Sequence, residues 1–290
     1  MDLTFSKMHG LGNDFVIFDF RHPDRAAAGK MLSPPVLAAL ADRRYGVGCD
    51  QIIMMEPPEA GSGDALFMRI YNADGGEVGA CGNATRCVGR LLLEETGQES
   101  VAIRTRAGRL MAWSAPAGQV RVDMGPARLE WQEIPLATSH NTLRLPVELA
   151  PLRDPVAVSM GNPHMVFFVP AVEALPLESL GPVLEVHPLF PQKTNVEIVQ
   201  VLGPGRLRMR VWERGAGITR ACGSGACAVL VAAARRGLCG RQAEVVLDGG
   251  VLTVSWEDNQ HVLLTGSATP VFTGCLSEAW LEKAADHGSP

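Results

Sequence analysis

A chain of 290 residues, 47% hydrophobic and 20% charged, is long enough for one large globular domain or two ordinary ones, which excludes disordered and fibrous forms. Its 26 Lys+Arg against 31 Asp+Glu leave a formal charge of −5 with no long run of one sign, so the basic footprint of a nucleic-acid binder is missing. No stretch approaches the roughly 20 consecutive apolar residues of a membrane helix, and Met1-Asp2-Leu3-Thr4-Phe5-Ser6-Lys7 lacks the basic start and apolar core of a secretory leader; a cytoplasmic protein without nucleic-acid or membrane partners is expected.

In chain order, Phe15 to Phe20 reads as a strand, and Ser33-Pro34 opens an amphipathic helix running to about Arg44. Gln51 to Met55 and Leu66 to Tyr71 are further short apolar or β-branched runs bounded by Gly, Pro or Asp. Asn83 to Thr96 carries Val88, Leu91, Leu92 and Glu95 at helical spacing, with Gly97 placed to stop it. Met165 to Val169, Val196 to Val201 and Leu207 to Trp212 read as strands again. Ser224 to Arg236 is helical and apolar on every side, so it must be buried on every side.

Blocks of this pattern occur twice. Shifting the chain by 141 positions lays Leu66-Phe67-Met68-Arg69 on Leu207-Arg208-Met209-Arg210, Gly76 on Gly217, and Ala80-Cys81-Gly82 on Ala221-Cys222-Gly223. At the same shift Gly125 and Ala127 fall on Gly266 and Ala268; at slightly larger ones Gly12-Asn13 matches Gly161-Asn162, and Gln51-Ile52-Ile53 matches Glu197-Ile198-Val199. Matching blocks in one order imply an internal duplication. The expected fold is α/β, two pseudo-symmetric domains that each wrap a curved mixed or antiparallel sheet round a buried helix. The linker holds Pro126, Pro135 and Pro146. The domains are expected at residues 1–125 plus 271–290 and at 126–270, with Val271 to Leu276 returning to complete the first.

Seven cysteines, an odd number with no Cys-x-x-Cys, favour free thiols over disulfides or a zinc site. Gly-x-Gly-x-x-Gly, a Gly-Lys-Ser/Thr phosphate loop, His-Glu-x-x-His and Gly-x-Ser-x-Gly are also absent, so an enzyme working without a cofactor is expected. Cys49, Cys87, Cys227, Cys239 and Cys275 read as small core hydrophobes. Cys81 and Cys222 recur in one Gly-flanked context just before a helix, where free backbone N–H groups and the helix dipole would lower a thiol below its usual value of about 8.5. The amides of Gly82-Asn83 and Gly223-Ser224 would clamp a carboxylate. Inverting a stereocentre takes one base and one acid on opposite faces of a carbon, and a duplicated thiol supplies both.

Lys7-Met8-His9-Gly10-Leu11-Gly12-Asn13-Asp14-Phe15, Asp50-Gln51, Tyr71-Asn72-Ala73-Asp74-Gly75 with Ala80-Cys81-Gly82-Asn83, Gly161-Asn162-Pro163-His164, Thr194-Asn195-Val196, and Trp212-Glu213-Arg214-Gly215 with Ala221-Cys222-Gly223-Ser224-Gly225-Ala226 resemble the motifs of the diaminopimelate epimerase family from residue 3 to about 276. The resemblance implies cofactor-independent interconversion of LL- and meso-2,6-diaminopimelate, on the route to lysine and peptidoglycan precursors. It implies Cys81 and Cys222 as the acid/base pair, and substrate contacts from Asn13, Gln51, Asn72, Gly82, Asn83, Asn162, Asn195, Glu213, Arg214, Gly223 and Ser224. His164 and Glu213 are implied to tune the thiols. Arg214 can fork onto a carboxylate and Glu213 can hold an ammonium. Ala84-Thr85 departs from the family, which more often has a glycine first. A racemase of another amino acid on this scaffold, or a thiol redox protein, stays open as an alternative. The expected partner is a small molecule, with a second copy of the chain left open as the one macromolecular partner.

Overall fold

The structure, a computed structural model, describes residues 3–26 and 28–287. The chain divides into two compact units, one running to Val122 and resuming at Ser267, the other Asp123–Gly266.

In the first unit, Leu3–Gly10 lies antiparallel to Asn13–Asp19, which runs parallel to Gln51–Glu56. Gln51–Glu56 is antiparallel to Leu66–Asn72, and that strand is parallel to Ser100–Thr105. Gly108–Ala115 and the start of Gln119–Pro126 follow, each antiparallel to its predecessor. The second unit repeats this order: Val156–Ser159 antiparallel to Pro163–Phe168, parallel to Asn195–Gly203, antiparallel to Arg206–Glu213, parallel to Gln242–Leu247, then antiparallel Gly250–Trp256 and His261–Gly266. One succession of strand directions, executed twice, is the architectural trace of the duplication. The C-terminal strand Thr269–Leu276 pairs antiparallel with Leu3–Gly10 inside the first unit.

Each sheet covers one central helix. Gly82–Thr96 buries its first turns together with Val88, Leu92 and Leu93, and packs on Leu3–Gly10, Ser100–Thr105 and Gly108–Ala115. It ends at Gly97, whose φ of 65° is the left-handed geometry that lets its N–H close on Leu93 C=O. Gly223–Arg235 packs on all seven strands just named for its unit, and Gly225 through Ala233 are buried without interruption. Fully burying Val229, Leu230 and Val231 is worth about 1.5–3 kcal/mol each. Among the described residues, no helix is long and apolar enough to cross a membrane.

The outer faces of the sheets are covered too. Pro34–Ala41 and the C-terminal helix pack with Phe18, Ile52 and Met54 in the first unit; Leu177–Glu185 packs with Met165, Phe167, Val196 and Ile198 in the second. Strands covered on both faces need apolar residues at successive positions, which is why Gln51–Glu56 and Pro163–Phe168 read as runs rather than alternations. The first of the outer helices ends at Ala41, not near Arg44, because Asp42 leaves helical geometry and its Oδ1 accepts from the N–H groups of Arg44 and Tyr45, both at 2.7 Å.

Leu177–Glu185 also fixes Trp212, whose Nε1–H donates to Glu185 at 2.7 Å. A Cβ at Gly181 would overlap the Trp212 indole. Gly181→Ala is therefore expected to cost about 1–3 kcal/mol as an overpacking change, measurable as a lowered urea midpoint; an unchanged midpoint would show that the indole can move aside.

Candidate active site

Both central helices begin on a cysteine in extended geometry, Cys81 at φ −150°, ψ 113° and Cys222 at φ −119°, ψ 111°. A residue at this cap position has its side chain beside the first free amides of the helix. The N–H of Ala84 reaches Cys81 Sγ at 3.5 Å, and Thr85 Oγ1 donates to the Cys81 carbonyl at 2.9 Å. In the second unit the Ser224 hydroxyl lies 3.6 Å from Cys222 Sγ.

Around Cys81 the first unit gathers amides. Asn13 Oδ1 is 4.0 Å from the sulfur and accepts from Asn83 Nδ2 at 3.1 Å, while Asn13 Nδ2 donates to Asp50 at 2.9 Å. Fully buried Arg86 donates to Asn83 Oδ1 at 2.8 Å from one turn along the helix. Gln51 and Asn72 form a separate pair, Nε2 to Oδ1 at 2.9 Å, on neighbouring strands.

Around Cys222 the second unit gathers acids as well. Glu213 acts electrostatically on the Cys222 sulfur and accepts from Thr219 Oγ1. From Ser224 a line of contacts runs inward: Asn162 Nδ2 to Ser224 Oγ at 3.4 Å, His164 Nε2 to Asn162 Oδ1 at 3.0 Å, and His164 Nδ1 to Glu197 Oε1 at 2.7 Å. Asn195 stands apart from that line, donating to Pro163 C=O at 2.9 Å and accepting from the Arg214 N–H at 2.9 Å. The Arg214 guanidinium is exposed, and among the described residues its Nη1 donates to Gln192 C=O at 3.0 Å.

Glu197 was not among the sequence candidates. The sequence match laid it on Gln51, but the ladders correct this by two residues. Met55 pairs with Met68, and Val199 with Met209, the repeat equivalent of Met68; Gln51 therefore corresponds to Asn195 and Ile53 to Glu197. Phe15 pairs with Gln51 as His164 pairs with Asn195, so Phe15 corresponds to His164. A fully buried Phe and Ile in one unit stand where the other has a fully buried His and Glu. The signal available beforehand was a lone carboxylate inside the run Val196 to Val199.

These acids overturn one expectation. A helix N-terminus by itself would lower the Cys222 thiol; instead burial, then Glu213 and Glu197, push it well above the ordinary thiol value, and the Gly225 N–H and Ser224 hydroxyl only partly oppose them. Burial likewise pushes the Glu213 carboxyl up, against the hydrogen bond from Thr219. As a thiolate the sulfur can accept from the Ser224 hydroxyl.

The same carboxylate explains Ala84. Its repeat equivalent is Gly225, where a Cβ would lie 2.8 Å from Glu197 Oε1 and 3.3 Å from Cys222 Sγ; the first unit has Ile53 in place of Glu197 and buries an alanine. Gly225→Ala is expected to lower activity at least about tenfold, since small displacements of a reacting group are costly. Ala84→Gly should cost no more than about 1 kcal/mol of stability. Turnover and thermal midpoint of the two variants check this, and equal activity would contradict it.

Of the remaining thiols, Cys49, Cys87 and Cys227 are core residues, and burial pushes Cys49 and Cys87 each up to about 12. Cys239 is half-buried. Cys275 is exposed, contrary to the core reading, because it lies on the outward side of the strand paired with Leu3–Gly10.

The model of the family described as diaminopimelate epimerase matches residues 5–130 and 156–271. The chain is 55% identical over 286 residues to the diaminopimelate epimerase of Rhodospirillum centenum, covering 99% of this chain and 96% of that protein. It is 52% identical over 278 residues to that of Acidiphilium cryptum, covering 96% and 97%. Among solved structures, a predicted epimerase from Pseudomonas aeruginosa superposes with a TM-score of 0.65 at 19% identity, over 94% of this chain and 99% of that one, a likeness of fold.

Proposed function

The chain belongs to the diaminopimelate epimerase family, and from that premise we propose that it interconverts LL- and meso-2,6-diaminopimelate by two-thiol acid/base chemistry without a cofactor. Each unit is one epimerase domain and contributes one thiol. The observation that carries the reading is the cap position of Cys81 and Cys222, one residue type at equivalent places at the start of two buried helices.

In each direction one sulfur takes the α-proton as a thiolate, and the other, as a thiol, returns a proton to the opposite face of the carbon. The amides of Gly82, Asn83, Gly223 and Ser224 receive the carboxylate at the reacting centre, where helix N-termini favour negative charge. That charge grows as the proton leaves, so donors fixed beforehand stabilise the transition state more than the ground state. Asn13, Gln51, Asn72, Asn162, Asn195, Glu213 and Arg214 hold the remaining amine and carboxylate groups, and His164 with Glu213 sets the protonation of Cys222. A cytoplasmic setting would keep both thiols reduced, as the chemistry requires.

The test is direct. Purified, reduced protein given LL-diaminopimelate and no additive is expected to yield meso-diaminopimelate by chiral chromatography. No conversion, or equal conversion of a simple monocarboxylate amino acid, would reject this substrate.

A further inference from the structure

Glu197 has no place in the reaction just described, yet it is fully buried beside the residues that do. Its Oε1 meets His164 Nδ1 at 2.7 Å, and its Oε2 is buried with no hydrogen-bond partner among the described residues. Burying a carboxylate costs several kcal/mol unless it is compensated, and the corresponding residue Ile53 shows that this scaffold can fill the same position with hydrocarbon. A fold that needed only packing here would have no use for the acid.

The geometry accounts for it. Asn162 donates to Ser224 through Nδ2, so its Oδ1 must accept, which places a hydrogen on His164 Nε2. His164 Nδ1 and Glu197 Oε1 then share the next proton across 2.7 Å. With both ring nitrogens engaged, the imidazole has one orientation, and Asn162 and Ser224 are held in turn. Ser224, having accepted from Asn162, keeps its own hydrogen free for Cys222 Sγ. We propose that Glu197 is a positioning residue of this enzyme: through His164, Asn162 and Ser224 it holds the hydroxyl that serves Cys222. The proposal rests on the epimerase reading for its kinetic arm, though not for its titration arm.

The groups bearing on Glu197 come from three elements: His164 from the neighbouring strand, Cys222 with the amide end of its helix, and Glu213 from the strand on the other side. Replacing Glu197 removes one of the two carboxylates near Cys222, so the sulfur should ionise more readily even as its hydroxyl partner loosens.

Glu197→Gln keeps the size and polarity of the side chain but loses its charge. Its kcat for diaminopimelate is expected to fall roughly 10- to 100-fold, with KM changed by less than about threefold because no substrate contact is removed. The Cys222 titration, followed as the difference in thiolate absorbance between the protein and its Cys222→Ser counterpart, should move to lower pH. The double variant His164→Phe, Glu197→Ile installs the pair found in the first unit; it should keep its thermal midpoint within a few degrees and lose activity still further. Unchanged kcat with an unmoved titration in Glu197→Gln would overturn the proposal. So would a loss of kcat that merely follows a lowered thermal midpoint while the titration stays in place. A wild type inert toward diaminopimelate would count against the function alone, leaving the titration to decide Glu197.

Discussion

Cys81→Ala and Cys222→Ala are each expected to abolish epimerisation in both directions, by at least about 10³-fold, since acid/base residues contribute about 10²–10⁴-fold and these two act as a unit. If one sulfur abstracts and the other donates, substrate converted in heavy water gains deuterium at the inverted carbon. Early in the reaction that label should lie in product and hardly at all in recovered substrate, because the abstracting thiol does not return the proton. The rate should be bell-shaped in pH, since the pair must hold one proton between two sulfurs, and the two limbs belong to the pair rather than to either residue. The high-pH limb is expected well to the alkaline side, because burial and the carboxylates of Glu213 and Glu197 hold the proton on Cys222. A single base swinging between faces would carry protium across, so early product that keeps most of its original hydrogen rejects the two-thiol mechanism. Activity surviving in either alanine variant would reject it as well.

The parts of the fold visible in the sequence are those written in local chemistry. Gly97 marks a helix end because only a residue at ease with positive φ closes that turn, and the second central helix is apolar on all sides because seven strands surround it. The two cysteines stood out because one Gly-flanked setting occurs twice. What sequence spacing could not carry was register. The match of Gln51 with Glu197 is plausible letter by letter, yet the ladders move it by two, and that shift turns an unremarked acid into the counterpart of Ile53. Nor does spacing reveal electrostatic sign. A cap position argues for a lowered thiol, and only the packed structure brings Glu213 and Glu197 close enough to reverse it at Cys222. Arg86 makes the same point in the first unit: its repeat equivalent is Cys227, and both are fully buried, so the two repeats share a backbone while their buried charges differ.

Substrate selection should rest most heavily on Arg214. Its backbone N–H is pinned by Asn195 and its Nη1 by Gln192 C=O, which leaves the rest of an exposed guanidinium fork available for a planar anion. In the proposed reaction that anion is the carboxylate at the far end of diaminopimelate, remote from the carbon that inverts. Losing the pair leaves the substrate carboxylate without its charge-assisted hydrogen bonds, so Arg214→Ala is expected to weaken kcat/KM for diaminopimelate by roughly 1.5–3 kcal/mol. Lysine should not restore it fully, because an ammonium cannot grip a carboxylate with two parallel N–H groups. The effect should appear chiefly in KM if the contact is equally strong in ground and transition states, and in kcat as well if distal binding energy is used to align the reacting carbon. For an amino acid with no second carboxylate, wild type and Arg214→Ala should be equally poor. A wild type that turns over such an amino acid as well as diaminopimelate would remove Arg214 from recognition and favour a racemase of another substrate on the same scaffold.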